Sequence, residues 1–105
     1  MSVRRIQNPG EVIEAIQSGR PTVIHYWDPA MGKESPLTPI FHSAAEGREG
    51  LDICIVDSGF IPLPHGPDER PLTVFYLNGD EEDMARSNPN DTEELFQRIE
   101  ADHGL

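Results

Sequence analysis

Only one of the 105 residues is a cysteine, Cys54, which excludes an internal disulfide and any metal site built on paired cysteines. A reducing, cytoplasmic compartment is the matching expectation. Positive charge is also scarce. Lys33 is the sole lysine, and Lys and Arg together number 8 against 19 Asp and Glu, a formal net charge of -11. The imbalance is uneven, with seven acids and five bases in residues 1–56 but twelve acids and three bases in residues 57–105. Such a chain repels phosphate backbones, so no nucleic-acid partner is expected. No apolar run approaches the roughly 18 residues of a membrane span, so no membrane association is expected either. The start, Met1-Ser2-Val3-Arg4-Arg5, carries charge with no apolar segment behind it and does not read as a secretory signal. The length is too small for a second core, and one domain over residues 1–105 is expected.

Proline and glycine, at ten and nine, are plentiful and punctuate the chain. Asn8 is placed to cap a helix with Pro9 in its first turn and Glu11 closing a capping box; Val12, Ile13 and Ile16 form its apolar face, and Gly19 and Pro21 stop it. Thr22 to Trp27 follows as a β-branched and aromatic run without alternation, the pattern of a strand covered on both faces. A second helix is expected from Ser35 as N-cap and Pro36 at its first position, kinked where Pro39 removes a main-chain donor. Leu51 to Asp57 reads as a strand, and the prolines and glycines between Asp57 and Pro71 deny a helix there. Leu72 to Leu77, the Asn78-Gly79 hairpin signal and a poorer edge strand around Met84 to Ser87 come next. A last helix begins near Asn88 to Asn90 and stops at Gly104, and Val3 to Ile6 is a short candidate first strand. This order predicts an α/β fold, a mixed sheet of four to five strands with helices on both faces.

With Tyr26-Trp27 ending a strand, Pro39 in the next helix, and Pro71-Leu72-Thr73-Val74-Phe75-Tyr76-Leu77-Asn78-Gly79, the chain resembles a thioredoxin over nearly its whole length. The family's Cys-Gly-Pro-Cys turn falls on Met31-Gly32-Lys33-Glu34 with no gap between Trp27 and Pro39. Only the glycine survives. Thiol-disulfide exchange needs a thiolate and a second thiol to resolve the mixed disulfide, and neither position supplies one. The family's buried strand aspartate falls on His25, and the basic residue after its second cysteine falls on Ser35. The third helix of the family is replaced by the Pro-rich loop 58–70. The resemblance implies a redox-inactive, degenerate thioredoxin-like domain and a cis Arg70-Pro71 bond, whose preceding main-chain groups would pair with an extended peptide.

The candidate binding residues are therefore Trp27, Met31, Gly32, Lys33, Glu34, Arg70 and Pro71, with no catalytic residue, metal ligand or cofactor. Each has a plainer reading beside it. Trp27 is equally a half-buried core residue, Glu34 is preferred as a structural acid at a helix start, and Lys33 and Arg70 serve as well as solvated side chains. His25 reads as a satisfied core histidine, Cys54 as a small buried hydrophobe, and His42, His65 and His103 as surface residues without metal-ligand spacing. Met31-Gly32-Lys33-Glu34-Ser35 fails as a phosphate loop, because Trp27 stands at the first glycine and Glu34 at the hydroxyl position. Asp80 to Asp83 is read as a solvated acidic run.

Three readings remain, the last a passive scaffold with no groove ligand that oligomerises through its edge strand. The first is a protein- or peptide-binding adaptor or assembly domain, as in phosducin-like and other degenerate thioredoxin relatives, and not an enzyme. The alternative is a glutathione-binding or glutathione-transferase-like enzyme in which Ser35 stabilises a thiolate.

Overall fold

The computed structural model describes residues 3–6, 8–27, 32, 35–48, 50–56, 71–86 and 88–105. Met31, Lys33, Glu34, Arg70, the Arg70-Pro71 bond and the loop 58–70 lie outside them.

The elements run β1 (Arg4–Ile6), α1 (Pro9–Gln17), β2 (Thr22–Tyr26), α2 (Thr38–Ala45), β3 (Asp52–Val56), β4 (Leu72–Leu77), β5 (Asp80–Arg86) and α3 (Pro89–His103). Local chemistry explains the two long helices. Asn8 accepts the Glu11 amide at 2.9 Å and its side-chain amide bonds back to the Glu11 carboxylate, while Asn88 accepts the Asp91 amide at 2.8 Å. Both helices place a proline in the first turn, where no main-chain donor is needed, and α3 ends on left-handed Gly104. The inward face of α1 is Val12, Ala15 and Ile16; Ile13, expected inside, is 40% exposed, because the helix rests on the sheet through a narrower stripe.

The expected start of the second helix is corrected. It begins at Thr38, not after Ser35, and Pro39 lies in its first turn and causes no kink. The Ser35 carbonyl accepts both the Thr38 amide at 3.1 Å and the Thr38 hydroxyl at 2.7 Å, and Ser35 Oγ accepts the Leu37 amide at 3.2 Å. Ser35 thus caps a tight turn over Pro36 and Leu37 through an i to i+3 bond, and the regular helix begins at its end, at Thr38.

The five strands form one sheet ordered β1-β3-β2-β4-β5. β1, β3 and β2 are parallel, while β4 runs antiparallel to β2 and β5 antiparallel to β4. The β4–β5 connection is a tight turn with Asn78 at φ 54° and Gly79 at φ 87°, the left-handed pair that a two-residue hairpin requires. β5 is longer than expected: it starts directly after that turn and takes in Asp80 to Asp83, since an edge strand leaves these side chains in water.

One apolar cluster lies between the sheet and α2 with α3, around Val23, Phe41, Ile53, Phe75, Leu95 and Phe96. The other lies under α1, around Ile6, Val12, Ile24, Tyr26, Val56 and Tyr76. Helices cover both faces of a mixed sheet, as expected.

Candidate functional site

Trp27 lies at the C-terminal end of β2 and Gly32 five residues beyond it. The Trp27 amide extends the ladder by donating to the Val56 carbonyl at 2.8 Å. Its indole N–H donates to the Gly32 carbonyl at 3.0 Å, so the side chain ties the turn to the strand end. Gly32 has φ 140°, a backbone region that side chains disfavour, which accounts for glycine at this position of the turn. Trp27 is 4% exposed, the core reading of this residue rather than the groove-lining one. Gly32 itself is exposed. The β2–β4 register pairs Tyr26 with Leu72, which puts Pro71 beside Trp27 at the same end of the sheet.

Directly beneath lies His25, fully buried. Its Nδ1 is 2.9 Å from Thr73 Oγ1 and its Nε2 is 2.8 Å from Ser35 Oγ. A neutral imidazole has one donor and one acceptor, so one hydroxyl donates to the ring and the other receives from it. The ring packs 4.7 Å from Phe41 and 6.1 Å from Trp27, centroid to centroid. Burial pushes the His25 pKa down to about 4, because the imidazolium would lose its hydration there.

This arrangement bears on chemistry. Ser35 and His25 stand at a nucleophile–base distance, but a base with a pKa near 4 is poorly matched to proton abstraction at neutral pH. Ser35 is 4% exposed, and its oxygen already receives the Leu37 amide. The trio braces the start of the turn against β4. Sequence reasoning identified His25 as a core histidine but missed Ser35 and Thr73 as its partners. The signal was present in the strand pairing, since the register that aligns Tyr26 with Leu72 sets His25 opposite Thr73.

Cys54 is fully buried in the α1 cluster with Arg4 Nη2 3.5 Å from its sulfur, and burial pushes its thiol pKa up. A buried, protonated thiol is a weak nucleophile. Among the described residues no group of three or more His, Cys, Asp or Glu is placed to hold a metal ion, and no helix is long and apolar enough to cross a membrane.

Solved structures share this architecture. A thioredoxin mutant from Halobacterium salinarum NRC-1 matches with a TM-score of 0.74 at 16% identity, covering 95% of this chain and 89% of that one. The oxidised thioredoxin of Plasmodium falciparum gives 0.73 at 15% identity over 93% and 98% of the two chains. A Malassezia sympodialis thioredoxin gives 0.68 at 18% identity over 92% and 90%. No protein-family model and no curated protein matches the sequence. The chain has a thioredoxin-like fold, and at these identities the likeness extends to the fold alone.

Proposed function

We propose that this thioredoxin-like chain is redox-inactive and works by binding a protein or peptide beside the former active turn, in a cytoplasmic setting. The supporting observation is His25. The position where the family keeps a proton-transferring carboxylate holds a neutral ring, bonded on both sides by Ser35 and Thr73 and enclosed by Phe41 and Trp27. By the sequence resemblance Met31 and Glu34 take the dithiol positions, and Cys54 is buried on the α1 face. At Gly32 the chain is held to the strand end by the bond from the Trp27 indole to its carbonyl. Exposed Gly32, with Met31, Lys33, Glu34, Arg70 and Pro71, is the proposed contact surface, and Trp27 supports it from behind.

Insulin reduction with dithiothreitol tests the redox half: the rate should match the uncatalysed one, and turnover above it overturns the reading. Affinity capture from source lysate tests the binding half. A partner held by the wild-type chain should be lost by the Lys33→Ala/Arg70→Ala variant, and equal capture by both refutes this surface. The glutathione reading asks Ser35 to stabilise a thiolate, whereas its hydroxyl is already committed to His25 and the Leu37 amide. Glutathione should therefore bind no tighter than about millimolar in calorimetry, one backbone pairing being a modest attraction after ordering costs; micromolar binding would put the enzyme reading first.

A further inference from the structure

β5 is the last strand of the sheet, so one of its sides has no neighbouring strand. Along an antiparallel strand the main-chain groups of alternate residues point toward the neighbour and away from it. At Met84 and Arg86 they are taken by groups outside β4. The Met84 N–H donates to Asp83 Oδ1 at 2.8 Å, the Met84 carbonyl accepts Arg98 Nη2 at 3.5 Å, and the Arg86 carbonyl accepts the Asn88 amide at 2.9 Å. Asp83 and Arg98 hold each other in place. Arg98 Nε donates to Asp83 Oδ2 at 2.8 Å and Nη2 to Oδ1 at 3.2 Å, a two-pronged pair that keeps the Asp83 carboxyl below its ordinary range. α3 thus reaches over the edge of the sheet, and both main-chain groups of Met84 that a sixth strand needs are occupied from within the chain.

The strand is nonetheless suited to pairing with itself. Met84 is 49% exposed, one of two large apolar side chains so exposed among the described residues, and Glu82 and Arg86 on either side of it are exposed as well. With a two-fold axis through Met84, an antiparallel copy sets Met84 opposite Met84 and Glu82 opposite Arg86 on both sides of the axis. An apolar centre then lies between two opposite-charge pairs, and no acid among residues 80–83 stands opposite another acid. We propose that β5 is a self-pairing edge held shut by the Asp83–Arg98 clamp. While the clamp covers Met84 the chain does not associate through this edge; once it releases Met84, two copies join their sheets across it. The surface is separate from the turn proposed above as the contact for a partner.

Sedimentation equilibrium of the full chain tests this, in moderate salt to screen the repulsion between chains of net charge -11. The wild type should be monomeric. The Asp83→Ala/Arg98→Ala variant, which leaves the net charge as it is, should approach twice the monomer mass. Adding Met84→Pro to that variant removes the central donor at a position that bonds outside β4, and should return it to monomer. Adding Glu82→Arg instead sets arginine against Arg86 and should weaken the dimer about tenfold, and a further Arg86→Glu should restore it. A clamp-free variant that stays monomeric, a wild type that dimerises as strongly, a dimer indifferent to both Met84→Pro and the charge changes, or growth beyond a dimer, as joining β5 to β1 gives, would each overturn the proposal.

Discussion

On the face of the sheet covered by α2 and α3, His25 sits between Ser35 and Thr73; on the face under α1, Tyr26 and Tyr76 meet hydroxyl to hydroxyl at 2.8 Å. Both groups are buried polar contacts inside apolar clusters. They differ in what a proton does to them. The tyrosine pair is a bond between two hydroxyls. The histidine trio is neutral only while the ring stays unprotonated, and an imidazolium in that place would have no counter-charge among its described contacts, Ser35, Thr73, Phe41 and Trp27. One face therefore carries a polar brace that acid can open, and it is the face that supports the turn. The other carries a hydroxyl–hydroxyl bond with no imidazole in it.

The largest test of this contrast is steric. Phe41 closes the His25 site at 4.7 Å and meets Phe96 edge-on at 5.9 Å, so Phe41→Ala should destabilise the chain by about 3–5 kcal/mol in urea unfolding. A loss below about 1 kcal/mol would mean that this face is not packed as described.

Acid titration comes next. The folded His25 pKa, about 4, lies below the unfolded value near 6.5, so its contribution is complete above pH 6.5 and is lost as pH falls toward 4. Between pH 7 and pH 5 the loss should be about 2 kcal/mol from this group, read as a falling urea midpoint. The His25→Gln variant should lack that share of the slope. If the wild type and this variant show the same pH dependence, His25 is not the group that acid opens.

Ser35→Ala removes one partner of the buried ring and the acceptor of the Leu37 amide, and should cost about 1.5 kcal/mol. Proteolysis at the turn should rise with it, because the variant loses the link from turn to sheet; unchanged proteolysis would show that Trp27 alone holds the turn. Smallest is Tyr26→Phe, expected at about 1 kcal/mol and equal at pH 5 and pH 7. A strongly pH-dependent effect there would erase the distinction between the faces.

How much of this was legible beforehand differs from element to element. Asn8-Pro9 and Asn88-Pro89 announced their helices because a cap and a first-turn proline act within four residues of chain. Asn78-Gly79 announced its hairpin because few other residues accept left-handed backbone angles at two successive positions. The uninterrupted Thr22 to Trp27 run pointed to a central strand, and every residue of β2 is buried. The start of α2 was misread. Ser35-Pro36 carries the local signature of a helix start, and Ser35 Oγ does accept the Leu37 amide, but the same oxygen also meets His25, ten residues earlier, and a tight turn precedes the regular helix at Thr38.

Local rules of capping, turn geometry and burial pattern thus determined the strands, the two capped helices and the order of elements, since each depends on residues adjacent in sequence. Tertiary structure decided the partners of His25, the low pKa that its burial imposes, the inward placement of Trp27 and the reach of Arg98 to β5. Each of those depends on which side chains meet across the sheet or between a helix and the sheet. Contacts such as His25 with Thr73, 48 positions apart, arise from strand register, which no local pattern contains.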